Sequence, residues 1–219
     1  MENNFFSDAA EDTQPFREIH TSIEILPDGK EAVIIGSPHG DAAFSHYQGD
    51  NSYGYTGTCG LCSVECVLKE FGVHANEDDV VRYAVDCGLC DVSEPRSEMD
   101  GGTTFEAIEK ILDGCRIPSH CEIAESLEDV AADIEAGHGV IIGVNSGVLW
   151  NNANFYESGQ PNHFVTITGV ARDTADGNII GFYINDSGNG KAADFIDADT
   201  MQVAFLEAGG GCVVTDVIR

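Results

Sequence analysis

The chain has 219 residues, 42% of them apolar, with 38 Asp and Glu against 10 Lys and Arg for a net charge of −28. This length and apolar content fit one globular domain with a sizeable core and exclude a disordered chain. The charge excludes direct binding to nucleic acid or an anionic membrane, and no apolar run approaches the roughly 18 residues a membrane-spanning helix needs.

The first residues, Met1-Glu2-Asn3-Asn4-Phe5-Phe6-Ser7-Asp8, have neither a basic region nor a long apolar core, so no secretory signal is expected. A cytoplasmic location follows, or delivery into a target cell by another module. The eight cysteines are then expected to be free thiols in a reducing compartment. Residues 1 to about 20 are acidic and irregular and read as a tail or docking segment. Two short apolar runs, Ile23-Glu24-Ile25-Leu26 and Glu31-Ala32-Val33-Ile34-Ile35, predict a β-hairpin turning at Asp28-Gly29. The chain divides into an N-terminal extension with this hairpin, residues 1–44, and a main domain, residues 45–219.

A polar, glycine-rich approach from Ser45 leads into Gly57-Thr58-Cys59-Gly60. Leu61, Val64, Leu68 and Phe71 then recur at helical spacing, and Cys62, Cys66 and Val67 widen the stripe. Gly72 is a natural stop, and Thr58 can cap the start. Cys59 therefore falls at the head of a helix, where free N–H groups and the positive dipole end favour a thiolate and can bind a developing oxyanion.

Asn76 caps a second helix through Val80, Val81 and Ala84, and Cys87 to Gly101 is irregular. Thr103-Thr104-Phe105-Glu106 has the form of a capping box opening a third helix that ends near Gly114. Ser126 opens a fourth, stopped by Gly137. The period then changes. Gly139 to Asn145 is a continuous apolar run that suits a buried strand. Leu149 to Gln160 is a loop with the lone Trp150. His163 to Val170 and Ile179 to Asn185 are strands joined by the turn 173–178, and a short helix around Ala198 to Leu206 precedes a last strand, Cys212 to Val217. Helices followed by a largely antiparallel sheet make the fold class α+β.

A thiolate nucleophile needs a base, and the base needs an orienting partner. His163 opens one strand and Asp186 ends the next, so the two are expected at the same end of a hairpin, facing each other across the pair. With Cys59 they make a Cys-His-Asp set across a cleft.

Thr58-Cys59-Gly60, Asn162-His163-Phe164-Val165-Thr166-Ile167-Thr168-Gly169-Val170 and Phe182-Tyr183-Ile184-Asn185-Asp186-Ser187-Gly188 resemble the three catalytic blocks of papain-like cysteine peptidases. Within that superfamily they are most similar to the bacteriocin-processing, double-glycine type and related bacterial toxin protease domains. The resemblance covers about residues 45 to 190. It implies a papain-like fold, a helical half with the nucleophile helix packed against an antiparallel sheet half. It implies Cys59 as nucleophile, His163 as base and Asp186 as its orienter, with Asn185 as the alternative orienter. It also implies a glutamine before the cysteine that completes the oxyanion hole. Gln48 matches, 11 residues upstream, with Asn51 as the fallback.

The expected reaction is peptide hydrolysis through an acyl-enzyme thioester, with no metal or other cofactor. The expected partners are a protein or peptide substrate and, for a toxin module, a cognate inhibitor or immunity protein. No transmembrane exporter is expected after this domain, and the long loop after Trp150 is unlike an exporter domain, so a stand-alone or toxin-type protease is expected over a leader peptidase. The same thioester chemistry supports deamidation or transglutamination. A different class is structural zinc held by two CxxC pairs, Cys59-Gly60-Leu61-Cys62 and Cys87-Gly88-Leu89-Cys90. A non-catalytic interaction domain is the remaining alternative.

Overall fold

The computed structural model describes residues 20–26 and 29–219. The acidic segment up to residue 19 and part of the predicted Asp28-Gly29 turn lie outside the described residues. In chain order come β1 (Thr21–Ile25), β2 (Glu31–Gly36) and a short α1 (Pro38–Asp41). Helix α2 (Cys59–Glu70) is followed by α3 (Glu77–Cys87), α4 (Phe105–Gly114), β3 (Ser119–Ile123) and α5 (Leu127–Ala136). Then come β4 (His138–Val144), α6 (Ser146–Leu149), β5 (His163–Asp173), β6 (Ile179–Asp186), β7 (Lys191–Asp197), α7 (Ala198–Met201) and β8 (Gly211–Ile218). The fold is α+β, built on one antiparallel sheet of eight strands.

Local chemistry explains most helix ends. Asn76 and Ser126 each close a capping box, with Asp79 and Asp129 as the returning partners, and Gly88 and Gly137 end those helices in the left-handed conformation. At α4 the cap is Thr104 rather than Thr103: Thr104 accepts from the Ala107 N–H, while the Thr103 hydroxyl donates to Leu89 O. Strands β3 and β7 escape the sequence reading, since neither Ser-His-Cys-Glu-Ile nor Lys-Ala-Ala-Asp-Phe-Ile-Asp has a fully apolar face.

Strand β5 is the organising element of the sheet. Its first half pairs β4 (Val144↔His163), its second half pairs β2 (Gly36↔Gly169), and β6 runs along its other edge (Thr166↔Asn185). The strand order is β1-β2-β5-β4-β8-β3, with β6 and β7 branching from β5. The hairpin β1–β2 is therefore part of the main sheet. A boundary at residue 44 does not separate it, because β2 takes its ladder bonds from β5.

The sheet is covered on both faces, which is why β4 reads as an unbroken apolar run. Ile141 of β4 and Val213 of β8 point into a core with Leu61, Val64 and Leu68 of α2, Val80 and Val81 of α3, and Ile108 and Ile111 of α4. Their neighbours Val140, Ile142, Cys212 and Val214 point into a second core with Val130 and Ile134 of α5, Phe182 of β6 and Phe205. Alternate residues of a strand face opposite sides, so each strand feeds both cores.

The head of α2 is seated on the sheet through Gly60. A Cβ there would run into Thr103 Cγ2 and come within 3.2 Å of Ile108 and Phe164. Thr103 cannot swing away without losing its 2.9 Å hydrogen bond to Leu89 O. Alanine for glycine inside a helix gains about 1 kcal/mol by propensity, whereas overpacking a close contact costs about 1–3 kcal/mol. Gly60→Ala is therefore expected to lower stability by about 1 kcal/mol, read as a lower urea midpoint with an unchanged denaturant slope.

Candidate active site

Cys59 is the first residue of α2 and is half-buried. It is hydrogen-bonded to His163, and the N–H groups of Phe164 and Gly60 are aimed at its sulfur. Burial opposes ionisation of this thiol, but the His163 hydrogen bond and charge and the two N–H groups outweigh it, leaving the thiol below its ordinary range.

His163, the first residue of β5, is 6% exposed. Its Nε2 bonds Asp186 Oδ1 at 2.7 Å, which leaves Nδ1 for the thiol. Burial pulls the imidazole pKa down, yet the bonds and charges of Asp186 and Cys59 lift it to about 9. The two strands do not place His163 and Asp186 directly opposite each other. Thr166 pairs Asn185, and the side chains of His163 and Asp186 meet diagonally at the end of β6.

Asp186 is fully buried, and each oxygen has a partner. Oδ1 accepts from His163 and, at 2.9 Å, from the Gly188 N–H, while Oδ2 accepts from Trp150 Nε1 at 2.7 Å. Burial raises its pKa, and the hydrogen bonds from His163, Trp150 and Gly188 more than reverse that. The Trp150 ring also packs on the His163 ring, centroids 5.1 Å apart. Gly188 is glycine for a steric reason: a Cβ would lie 2.7 Å from His163 Cε1 and 2.8 Å from Trp150.

Asn185 does not orient His163. It is on the strand's other face, where its amide donates to Asp41 O at 2.9 Å and its oxygen accepts from the Ala193 N–H at 3.1 Å. Gln48 sits between the two halves of the site. Its backbone N–H donates to Ser187 O, its Oε1 accepts from the Ser187 hydroxyl at 3.1 Å, and its Nε2 donates to Thr56 O. One Nε2 hydrogen has no partner among the described residues. Asn51 has no amide hydrogen to spare, since Nδ2 donates to Tyr55 O and Glu77 Oε1.

No family model matches the chain, and no curated protein matches it by sequence. The architecture does match a solved structure, a candidate C39-like peptidase from Bacillus anthracis, with a TM-score of 0.55 at 14% identity. The match covers 81% of this chain and 96% of that one. The chain has the fold of a C39-like peptidase.

Within this C39-like fold the two CxxC pairs do not form a zinc site. Cys62 is buried and turns toward His46, Cys87 is exposed at the end of α3, and the four sulfurs are not gathered into one group.

Thr58 does not cap α2 with its side chain. Its backbone (φ −92°, ψ 18°) is not extended, and its buried hydroxyl instead donates to Glu77 Oε1 at 2.6 Å. Glu77, 1% exposed, is the residue the sequence reading passed over. Besides Thr58 it accepts from the N–H groups of Gly49 and Asp50, from Asn51 Nδ2 and from His46 Nε2. The approach to Cys59 is thus wrapped around one carboxylate. Nothing in the linear sequence marks Glu77, which reads as a first-turn acid of α3. Trp150 carried a weak signal, as the lone tryptophan in a polar loop before His163.

Burial would raise the Glu77 pKa, but bonds from His46, Thr58, Gly49 and Asn51 hold it at about 2 against an ordinary 4.5. A depressed carboxylate adds stability that is complete above the unfolded value and is lost as pH falls through the folded one. Urea unfolding is expected to show stability falling between about pH 5 and pH 2. Glu77→Gln, which turns an acceptor oxygen into a donor facing other donors, is expected to cost about 1–3 kcal/mol per bond lost and to flatten that acid limb.

Proposed function

We propose that the chain is a papain-like cysteine peptidase with Cys59 as nucleophile, His163 as acid and base, and Asp186 as the group that orients His163. The observation that carries this reading is the continuous chain of contacts from Cys59 at a helix head, through the two nitrogens of His163, to a buried, fully hydrogen-bonded carboxylate.

The chemistry follows from the geometry. The lowered thiol and raised imidazole favour a thiolate–imidazolium pair at neutral pH. The thiolate adds to the scissile carbonyl. The oxyanion is received by N–H groups at the head of α2 and by the spare Nε2 hydrogen of Gln48. The His163 Nδ1 proton passes to the leaving amine, leaving a thioester on Cys59. His163 then takes a proton from water as the hydroxyl attacks, and the acid product leaves. Asp186 fixes the ring throughout and does not need to accept the proton. Trp150 fixes Asp186 by its N–H and covers one face of the imidazole, keeping water from the His163–Asp186 bond.

The net charge of −28 favours basic protein or peptide substrates, and a basic inhibitor surface, through long-range attraction. A comparison of proteome digests by wild type and Cys59→Ala reads out the cleavage motif. Cuts after Gly-Gly pairs would place the chain with leader peptidases, and cuts within folded host or competitor proteins would make it a toxin module.

Brief iodoacetamide treatment is expected to label Cys59 alone, with His163→Ala slowing the reaction at least about 100-fold by loss of the ion pair. Uniform slow labelling of all cysteines in both proteins would remove the enzyme reading. Peptide hydrolysis needs the imidazolium, which is populated below the His163 pKa and lost above it. Turnover is therefore expected to fall as pH rises through about 9. Trp150→Phe removes a hydrogen bond to a charged group, about 1.5–3 kcal/mol, and is expected to lower kcat/KM about 10- to 100-fold with Cys59 still alkylated.

A further inference from the structure

Away from the Cys59–His163–Asp186 set, one cluster among the described residues gathers nitrogen, sulfur and oxygen ligand atoms. His46 Nε2 lies 2.9 Å from Glu77 Oε2 and 3.9 Å from Cys62 Sγ, and the three ligand atoms fall within 4.8 Å of one another. They come from three segments: the loop before the active-site helix, the first turn of α2, and the first residue of α3. Glu77 and Cys62 are 1% and 2% exposed.

A second observation concerns the other ring nitrogen of His46. Glu65, three residues after Cys62 on the same helix, is 1% exposed. Its Oε1 is bonded to Lys69, but Oε2 is buried with no hydrogen-bond partner and is directed at His46 Nδ1, 3.6 Å away. With Nε2 on an ion, the ring proton sits on Nδ1 facing this oxygen, the outer carboxylate partner that a metal-bound histidine ordinarily has. A cavity of about 280 Å³, lined by His46, Glu65 and Glu77 together with Asp50, Asn76 and Asp78, gives access from solvent.

We propose that His46 Nε2, Cys62 Sγ and Glu77 Oε2, with Glu65 beside them, bind one divalent transition-metal ion, Zn²⁺ by the chemistry of the donor set. A thiolate, an imidazole and a carboxylate suit zinc and do not suit the all-oxygen preference of calcium or magnesium. From zinc bond lengths a tetrahedral site has N···S and N···O edges of about 3.5 and 3.4 Å. The present N···S and N···O separations of 3.9 and 2.9 Å need changes of about 0.5 Å each, and the S···O pair, within 4.8 Å, closes toward about 3.6 Å on binding. The ion takes the place of the proton between His46 and Glu77, and the Cys62 thiol releases its proton to solvent. A thiolate and a carboxylate then neutralise the dication, and the Gly49 and Asp50 N–H bonds to Glu77 stay in place.

Such an ion would tie the loop carrying Gln48 and Thr58 to both α2 and α3. It is a structural site, separate from the sulfur and imidazole of Cys59 and His163, and it does not depend on the peptidase reading.

The test uses the full chain carrying Cys59→Ala, so that the Cys59–His163 pair cannot hold metal. After chelator treatment the protein is titrated with Co²⁺ as a spectroscopic stand-in for Zn²⁺. The expected result is a thiolate-to-cobalt absorption band saturating at one equivalent, displaced by Zn²⁺, absent in Cys62→Ser and shifted to at least about 10-fold weaker binding in His46→Ala. A measurement without further variants keeps the outcome independent of their folding: Zn²⁺ is expected to slow alkylation of Cys62, read site by site by mass spectrometry, while leaving Cys87 unaffected. No cobalt band, an unchanged band in Cys62→Ser, or alkylation of Cys62 indifferent to Zn²⁺ would each overturn the proposal.

Discussion

A single buried carboxylate, Glu77, sets the shape of the approach to Cys59. An ionised group removed from water is tolerated only when its lone pairs are met by donors. Glu77 meets this with donors from Gly49, Asp50, Asn51, Thr58 and His46, all from the stretch that leads into α2. Tyr55 anchors the loop in the core beneath α2, but the polar turns around it have no such anchor. The carboxylate supplies the order instead, and Cys59 follows directly from a residue it anchors.

The sheet half solves the same problem with a second carboxylate. Asp186 is held by a tryptophan N–H, a backbone N–H and the imidazole it orients. With 10 Lys and Arg for 38 Asp and Glu, most acids have no Lys or Arg to pair with. The chain uses N–H groups, hydroxyls and histidines as the usual partners. An exception is Arg219, whose guanidinium bonds both Asp41 and Glu70 and pins the end of β8 beside α2.

The two-sided sheet holds these halves in register. Strand β5 pairs with three neighbours and begins with His163, so the position of the imidazole is fixed by ladder bonds rather than by a loop. Helix α2 crosses the same strand, with the Thr166 hydroxyl donating to Ser63 O at 3.3 Å. Cys59 and His163 are thereby mounted on two rigid elements that touch, which holds sulfur and imidazole at a constant separation.

The sequence by itself determined the elements whose signals are local: the amphipathic helix after Cys59, the Asn76 and Ser126 caps, the two-sided apolar run of β4, and the presence of His163 and Asp186 at neighbouring strand ends. Periodicity and capping depend on residues within one or two turns of each other, so they are legible in one dimension. Only the tertiary structure decided that Asn185 faces away from His163, that Asn51 has no hydrogen to offer, that the CxxC pairs stay apart, and that β1–β2 joins the main sheet. It alone brought Trp150 onto Asp186 and His46, Cys62 and Glu77 onto one another. These contacts join residues far apart in the chain, and their partners are chosen by the burial of charge and by strand register, which no local pattern encodes.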